Sequence, residues 1–265
     1  MPASTGASAD PASPSAPLPA GGELVDIGGR SLYLECTGEG TPVVVMEAGV
    51  GSASSSWSPV IEALADVTRV CVYDRANLGR SDPASTPRSG ADVVDDLEAL
   101  LGAAELPPPY ALVGHSLGGL LVSQYAARDP GRVSGLVLVD SVHPDLFDRY
   151  SALIPPERLD QIRARLGSNP EGLALEATLR EAQAESRVPP VLTVVVAATE
   201  GHGLFGVDTE AAETLWAELQ QELADASPAG RLVVATGSGH SVQADQPEVV
   251  IAAVRDVVEQ VRSQP

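Results

Sequence analysis

The sequence contains no lysine. All 16 basic residues are arginine, set against 36 acidic ones, for a formal net charge of −20. An acidic surface repels phosphate backbones and anionic lipid, so nucleic-acid and membrane-surface binding are disfavoured. The acidity reads as a solubility device, and the missing lysine, beside abundant alanine, as a compositional bias. Cysteine is nearly absent: Cys36 and Cys71 cannot build a disulfide-dense scaffold or a tetrahedral zinc site of their own, though they could form one bridge. Aromatic residues make up 3% of the chain, too few to outline a pocket from the sequence. No run approaches the roughly 18 consecutive apolar residues that a membrane span needs. The expectation is a soluble protein without a membrane span, cytoplasmic or secreted with its signal removed.

The 265 residues, 44% hydrophobic, are enough to bury one sizeable core. The first twenty residues are mostly alanine, serine and proline and bury too little to offset chain entropy. Residues 1–22 are therefore expected to be disordered. They lack the basic and apolar regions of an intact signal peptide. They are either a plain disordered start or a linker left after a secretion signal is removed.

From about residue 23 to 265 short β-branched runs alternate with helical stretches. ELVDI and SLYLEC flank a turn at Gly28-Gly29. TPVVVMEAG, TRVCVYD, YALVG, SGLVLVD, PVLTVVVAA and RLVVAT are apolar on both faces, as parallel strands buried under helices are. Helical patterns cover Trp57 to Ala65, Ala91 to Leu101, the segment from Ser116 to about Arg128, and the stretch from Pro247. There Val250, Val254, Val257, Val258 and Val261 form one stripe. The alternation predicts an α/β fold with a mostly parallel sheet and helices on both faces. Between Ser141 and Val188 there is no strand signal. That stretch, with helical patterns such as Leu173 to Glu185, is expected to be a small helical lid over about residues 142–188.

The chemistry centres on YALVGHSLGGLLVSQYAARDP, in which Gly114-His115-Ser116-Leu117-Gly118 makes a G-x-S-x-G pattern between an apolar strand and an amphipathic helix. A serine there sits on a sharp strand-to-helix turn that exposes its hydroxyl. A serine hydroxyl needs a base. The chain offers His115, His143, His202 and His240. His115 adjoins the serine and is expected to point away from it. His240, in a small flexible loop between the last apolar strand and the last helix, falls where the base should be. The base also needs a carboxylate partner. Asp140, ending LVLVD, leads; Glu200, after TVVVAA, and Asp208 stand behind it. Asp140 could instead cap the turn DSVHPD. Two backbone N–H groups, of Leu117 and Val50, are expected to form the oxyanion hole.

Taken together, MEAGVGSASSSW, YDRANLGRSD, VGHSLGG and GSGHSVQADQPE, in that order, resemble the α/β-hydrolases. The resemblance runs from about Glu23 to Arg262. It implies an eight-stranded, mostly parallel sheet, a lid between strands six and seven, and esterase-like chemistry with Ser116 as nucleophile and His240 as base. Where many relatives carry His-Gly in the oxyanion loop, this chain has Ala48-Gly49. Where many carry an aspartate after strand seven, it reads ATEGHGLFGVD; Asp140 fits relatives whose acid follows strand six. The family's strand order sets the second and fourth strands side by side, with Cys36 on one and Cys71 on the other. A disulfide and two buried thiols are equally compatible with that.

The expected activity is hydrolysis of a small-molecule carboxylic ester through an acyl-enzyme, with the triad Ser116, Asp140 and His240 and neither metal nor organic cofactor. The same triad could serve lactone, thioester or C–C bond hydrolysis. A non-catalytic ligand-binding protein on the same scaffold is the other alternative. Epoxide-hydrolase and dehalogenase routes need a carboxylate nucleophile, against which Ser116 argues.

Overall fold

The computed structural model of the chain describes residues 21–185, 190–202 and 209–264. The amino-terminal segment expected to be disordered and the alternative acid Asp208 lie outside the described residues.

Eight strands form one sheet: β1 (Gly22–Asp26), β2 (Ser31–Thr37), β3 (Val43–Glu47), β4 (Val70–Tyr73), β5 (Tyr110–His115), β6 (Val133–Val139), β7 (Leu192–Ala198) and β8 (Gly230–Ala235). Their order is β1-β2-β4-β3-β5-β6-β7-β8. Only the pairings of β2 with β1 and with β4 are antiparallel; every other pair is parallel. The mostly parallel α/β sheet read from the sequence is the one found.

The period of two along each strand sorts its side chains onto two cores. Val45, Leu112, Leu136 and Leu138 face one cluster. Val44, Met46, Val113 and Val137 face the other. The first is covered by α2 (Gly90–Ala103) and α3 (Leu117–Arg128), which contribute Leu97, Leu100, Leu120 and Tyr125. The second is covered by α1 (Ser58–Ala65) and, far along the chain, the valine-striped terminal helix, with Val60, Leu64, Val250, Val254 and Val257. Helix α2 starts where Ser89 and Asp92 form a reciprocal capping box.

Between β6 and β7 the chain makes three helices, α4 (Leu146–Ser151), α5 (Pro156–Leu166) and α6 (Leu175–Glu185). They lie in the segment read as a lid. Helix α7 (Thr209–Asp225) is an element that the sequence reading above assigns to nothing. Its Leu223 and Ala224 join the main core, whereas Ala212, Leu215, Trp216 and Leu219 pack with Tyr150, Ile154 and Ile162 of the β6–β7 excursion. The short α8 (Val242–Asp245) and the terminal α9 (Pro247–Ser263) close the fold. No helix among the described residues is long and apolar enough to cross a membrane.

Cys36 and Cys71 stand directly opposite each other on β2 and β4 and are joined by a disulfide, with a sequence separation of 35. Of the two readings left open, the bridge is the one present. Constraining an unfolded loop of that length stabilises the fold by about 2–4 kcal/mol. The bridge lies on the antiparallel flank of the sheet. Replacing both cysteines with serine is therefore expected to lower the unfolding free energy by about that amount in a urea titration.

Candidate active site

In a parallel sheet the carboxyl ends of the strands lie along one edge, and side chains from distant stretches of sequence meet there. Ser116 follows β5, Asp140 follows β6, and His240 stands on the loop after β8. Ser116 has φ 53° and Asp140 φ 44°, two of the four non-glycine residues at positive φ among those described. Backbone in this region costs free energy and persists only where the surroundings fix it. The surroundings of Ser116 do so: its N–H donates to the Val139 carbonyl, and its own carbonyl accepts from Gly119 and Val142. A Cβ on Gly114 would lie 2.4 Å from the Gly118 carbonyl oxygen, and one on Gly118 would lie 2.3 Å from that of Glu47. The G-x-S-x-G spacing is thus a requirement for backbone to pass backbone.

Asp140 is fully buried, and its carboxylate accepts four hydrogen bonds. Oδ1 accepts from the Ala198 N–H at 2.9 Å and the Trp216 indole at 2.7 Å. Oδ2 faces His240 Nδ1 at 2.7 Å and His202 Nε2 at 2.9 Å. Burial alone would raise the carboxyl's pKa. The bonds and charge of His202 and His240 outweigh it and hold the group well below the usual carboxylate range. Glu200 is exposed, and its backbone N–H bonds to Ser238 rather than serving the histidine. Asp140, not Glu200, meets His240. The ligand atoms of Asp140, His202 and His240 lie within 4.8 Å of one another, close enough to hold a cation. Their 2.7 and 2.9 Å contacts converge on a single carboxylate oxygen, the spacing of shared protons rather than of ligands spread around a metal.

Ser116, Leu117, Val50 and His240 line a cavity of about 240 Å³, walled by Phe147, Tyr150 and Leu179 of the excursion and by Trp216. A larger hollow of about 750 Å³, bounded by Leu120, Gln124, His143 and Leu223, contains none of Ser116, Asp140 or His240. His143 is there, beside Asp145 and Glu222, and takes no part in the site.

His115 does more than point away. It is buried, and its Nε2 lies 2.9 Å from the carbonyl oxygen of His240, an acceptor that fixes the proton on that nitrogen. It thereby ties the His240 loop to the end of β5. Burial, then the neighbouring His240, lowers its pKa to about 4.

The oxyanion-loop candidate Val50 is braced from below. Arg75, just past β4, donates to Glu47 at 2.5 Å, to Glu171 at 2.6 and 2.9 Å, and to the carbonyls of Ala48 and Gly49, both at 2.7 Å. Glu171, from the excursion, also accepts the Gly51 N–H at 2.7 Å. Val50 is thus bracketed by two held residues.

The residues that sequence reading leaves out of the site are Trp216, Glu213, His202 as a partner of the acid, and the Arg75 cluster. Assigning residues 209–225 as helix would have brought in Trp216 and Glu213. His202 occupies the stretch after β7 that the sequence reading searched for an acid.

The sequence profile of the alpha/beta hydrolase fold matches residues 41–240. The uncharacterized protein YqjL of Bacillus subtilis (strain 168) is 30% identical over 218 residues, 81% of this chain and 82% of its own length. A putative lipase from Acinetobacter baumannii AYE has a TM-score of 0.70 at 18% identity, covering 91% of this chain and 92% of its own. A meta-cleavage product hydrolase from Pseudomonas fluorescens IP01 has a TM-score of 0.65 at 21% identity, covering 89% and 97%. At such identities the two structures speak to the fold alone.

Two outcomes follow from the buried groups. Between the ordinary histidine value of 6.5 and about 4, unfolded chains bind a proton at residue 115 that the folded chain refuses. That stability is complete above pH 6.5 and is lost as pH falls, on the order of 3 kcal/mol by pH 4. His115→Asn is expected to flatten this part of a urea-measured stability profile. Arg75→Met leaves Glu47 and Glu171 buried without their cation and is expected to cost about 3–5 kcal/mol in the same assay.

Proposed function

The chain belongs to the alpha/beta hydrolase fold family, and from that premise we propose that it is a serine hydrolase cleaving carboxylic esters through an acyl-enzyme. The observation that carries the reading is the 2.7 Å contact of His240 Nδ1 with the buried Asp140 carboxylate, on a histidine that shares one apolar cavity with Ser116. An ionised carboxylate only accepts, so Nδ1 bears the proton and Nε2 is left with a lone pair for the serine hydroxyl.

In this reading Nε2 of His240 takes the Ser116 proton as the oxygen attacks the ester carbonyl. The negative charge that develops on the carbonyl oxygen is met by the N–H groups of Leu117 and Val50. Leu117 is the first residue of α3, so the helix dipole adds to its effect. Collapse of the tetrahedral adduct expels the alcohol, which receives the proton from His240. A water deprotonated by the same nitrogen then releases the acid. The stretch around residues 142–188 acts as a lid whose Phe147 and Tyr150 shape the acyl pocket. At about 240 Å³, with almost wholly apolar walls, that pocket suits a compact uncharged acyl group.

A fluorophosphonate probe tests the nucleophile, and p-nitrophenyl acetate tests turnover. Ser116→Ala is expected to abolish both labelling and hydrolysis, and Asp140→Asn to lower kcat by about 10³–10⁴. A wild-type protein that neither labels nor turns over would overturn the reading in favour of a ligand-binding protein. A wild type that labels but prefers a lactone or thioester would keep the triad and change the substrate.

A further inference from the structure

The triad acid has a second histidine. His202 is buried, and each of its ring nitrogens faces a carboxylate oxygen: Nε2 is 2.9 Å from Asp140 Oδ2, and Nδ1 is 2.7 Å from Glu213 Oε2. A carboxylate oxygen accepts and does not donate, so both contacts are hydrogen bonds only if both nitrogens carry protons. That is an imidazolium. Its ring lies flat on the Trp216 indole, with centroids 4.5 Å apart and planes 12° apart, and Trp216 donates to the other oxygen of Asp140. The backbone N–H of His202 lies 3.3 Å from Glu213 Oε1, so one glutamate holds both the ring and its main chain.

We propose that His202 is a positioning residue for the reaction. As a cation clamped between Asp140 and Glu213, it fixes the carboxylate that orients His240, and Glu213 is the group that keeps it charged. The inference rests on the assignment of Asp140 and His240 as acid and base.

The groups facing His202 come from every side. Asp140 approaches from the end of β6, Glu213 and Trp216 from α7, and His240 from the loop after β8, its ring 6.4 Å away. The Tyr150 hydroxyl, from α4, reaches only its carbonyl, at 3.4 Å. Burial works against the charge, but the bonds and charges of Asp140 and then Glu213 outweigh it and raise the pKa above the ordinary histidine value. The charge count explains why a glutamate belongs there. With His202 positive and Glu213 negative, the cluster around Asp140 keeps a net charge of −1, available to stabilise the imidazolium that forms at His240. Without Glu213 the same cation would cancel Asp140.

The sign with pH is fixed by this arrangement. His202 is charged, and the clamp complete, below its raised pKa. The clamp is lost as pH rises through it. Removing the Glu213 charge lowers the point at which that happens.

The test combines ¹⁵N NMR of the imidazoles with kinetics on p-nitrophenyl acetate. In the wild type one histidine is expected to keep both ring nitrogens protonated at pH 7, with the signal absent in His202→Asn. In Glu213→Gln its deprotonation should move down by about one pH unit. His202→Asn is expected to lower kcat by about 10–100-fold, with KM within about twofold. Glu213→Gln, on a side chain a quarter exposed, should fold even where the buried variant does not. It is expected to lower kcat by about 3–10-fold and to begin losing activity about one unit earlier as pH rises. A purely structural role would lower stability without moving that limb. A neutral His202 at pH 7 in the wild type, or a wild-type kcat and pH profile in Glu213→Gln, would overturn the proposal. Asp140→Asn run alongside separates the two readings. Full activity there removes the triad assignment itself, whereas its loss beside unaffected Glu213→Gln removes only the clamp.

Discussion

A guanidinium has five N–H donors and no way to shed its charge, so burying one is tolerable only where every donor is met. Arg75 meets that condition. Its five bonds run to Glu47 at the end of β3, to the carbonyls of Ala48 and Gly49 that follow it, and twice to Glu171 in the β6–β7 excursion. Tyr73 supplies a further bond to the second oxygen of Glu47. Arg75, two residues past β4, thus sets the path of the loop after β3 and anchors a segment nearly a hundred residues downstream. The chain between Gly49 and Gly51 is held at both ends, by Arg75 and by Glu171. The oxyanion role proposed for Val50 calls for donors that do not have to reorganise when charge appears, and the brace holds the loop on both sides of that residue.

The same logic, with signs reversed, governs Asp140. Four donors surround its two oxygens and keep an unexposed carboxylate ionised. The backbone turns at positive φ to deliver it. Aspartate tolerates this conformation better than most side chains. Ser116 does likewise one strand away. Both strained residues sit at the carboxyl ends of parallel neighbours, β5 and β6, whose register holds His115 opposite Val139. The rigidity of the central sheet is what makes two such turns affordable side by side.

What could be read from the sequence was whatever is local. Six apolar runs and two shorter strand patterns, the glycine spacing around Ser116 and the valine stripe of α9 each carry their meaning within a couple of dozen residues, and the sheet, the turn at Ser116 and the last helix appear where those patterns lie. The placement of His240 beside Ser116 was legible, because chain order brings the loop after the last strand to the edge where β5 ends. For the acid the sequence could only rank Asp140 ahead of Glu200, since both end strands; what separates them is Trp216 and His202, which reach Asp140 from 76 and 62 residues away. The Arg75 cluster was hidden for the same reason. Nothing in YDRANLGRSD says that Arg75 is buried and Arg80 is not, because the partner that matters, Glu171, lies 96 residues on. Cys36 and Cys71 could be placed on adjacent strands only through the order of the sheet, and their facing each other is a matter of register.

Helix α7 ties these distant pieces together. Trp216 lines the cavity beside Ser116 with one part of its indole and bonds Asp140 with its nitrogen. Glu213, one turn earlier, reaches His202. Leu215 and Leu219 share a cluster with Tyr150 and Ile162 of the excursion, which line the same cavity together with Phe147 and Leu179. The shape of the pocket and the placement of Asp140 therefore share one helix. A substitution that enlarges the cavity by moving α7 also moves the donors on Asp140. Changes on the excursion side at Phe147 or Leu179, which make no bond to the acid, alter the cavity alone. If pocket and acid can be tuned separately in this fold, that is the wall on which it is possible.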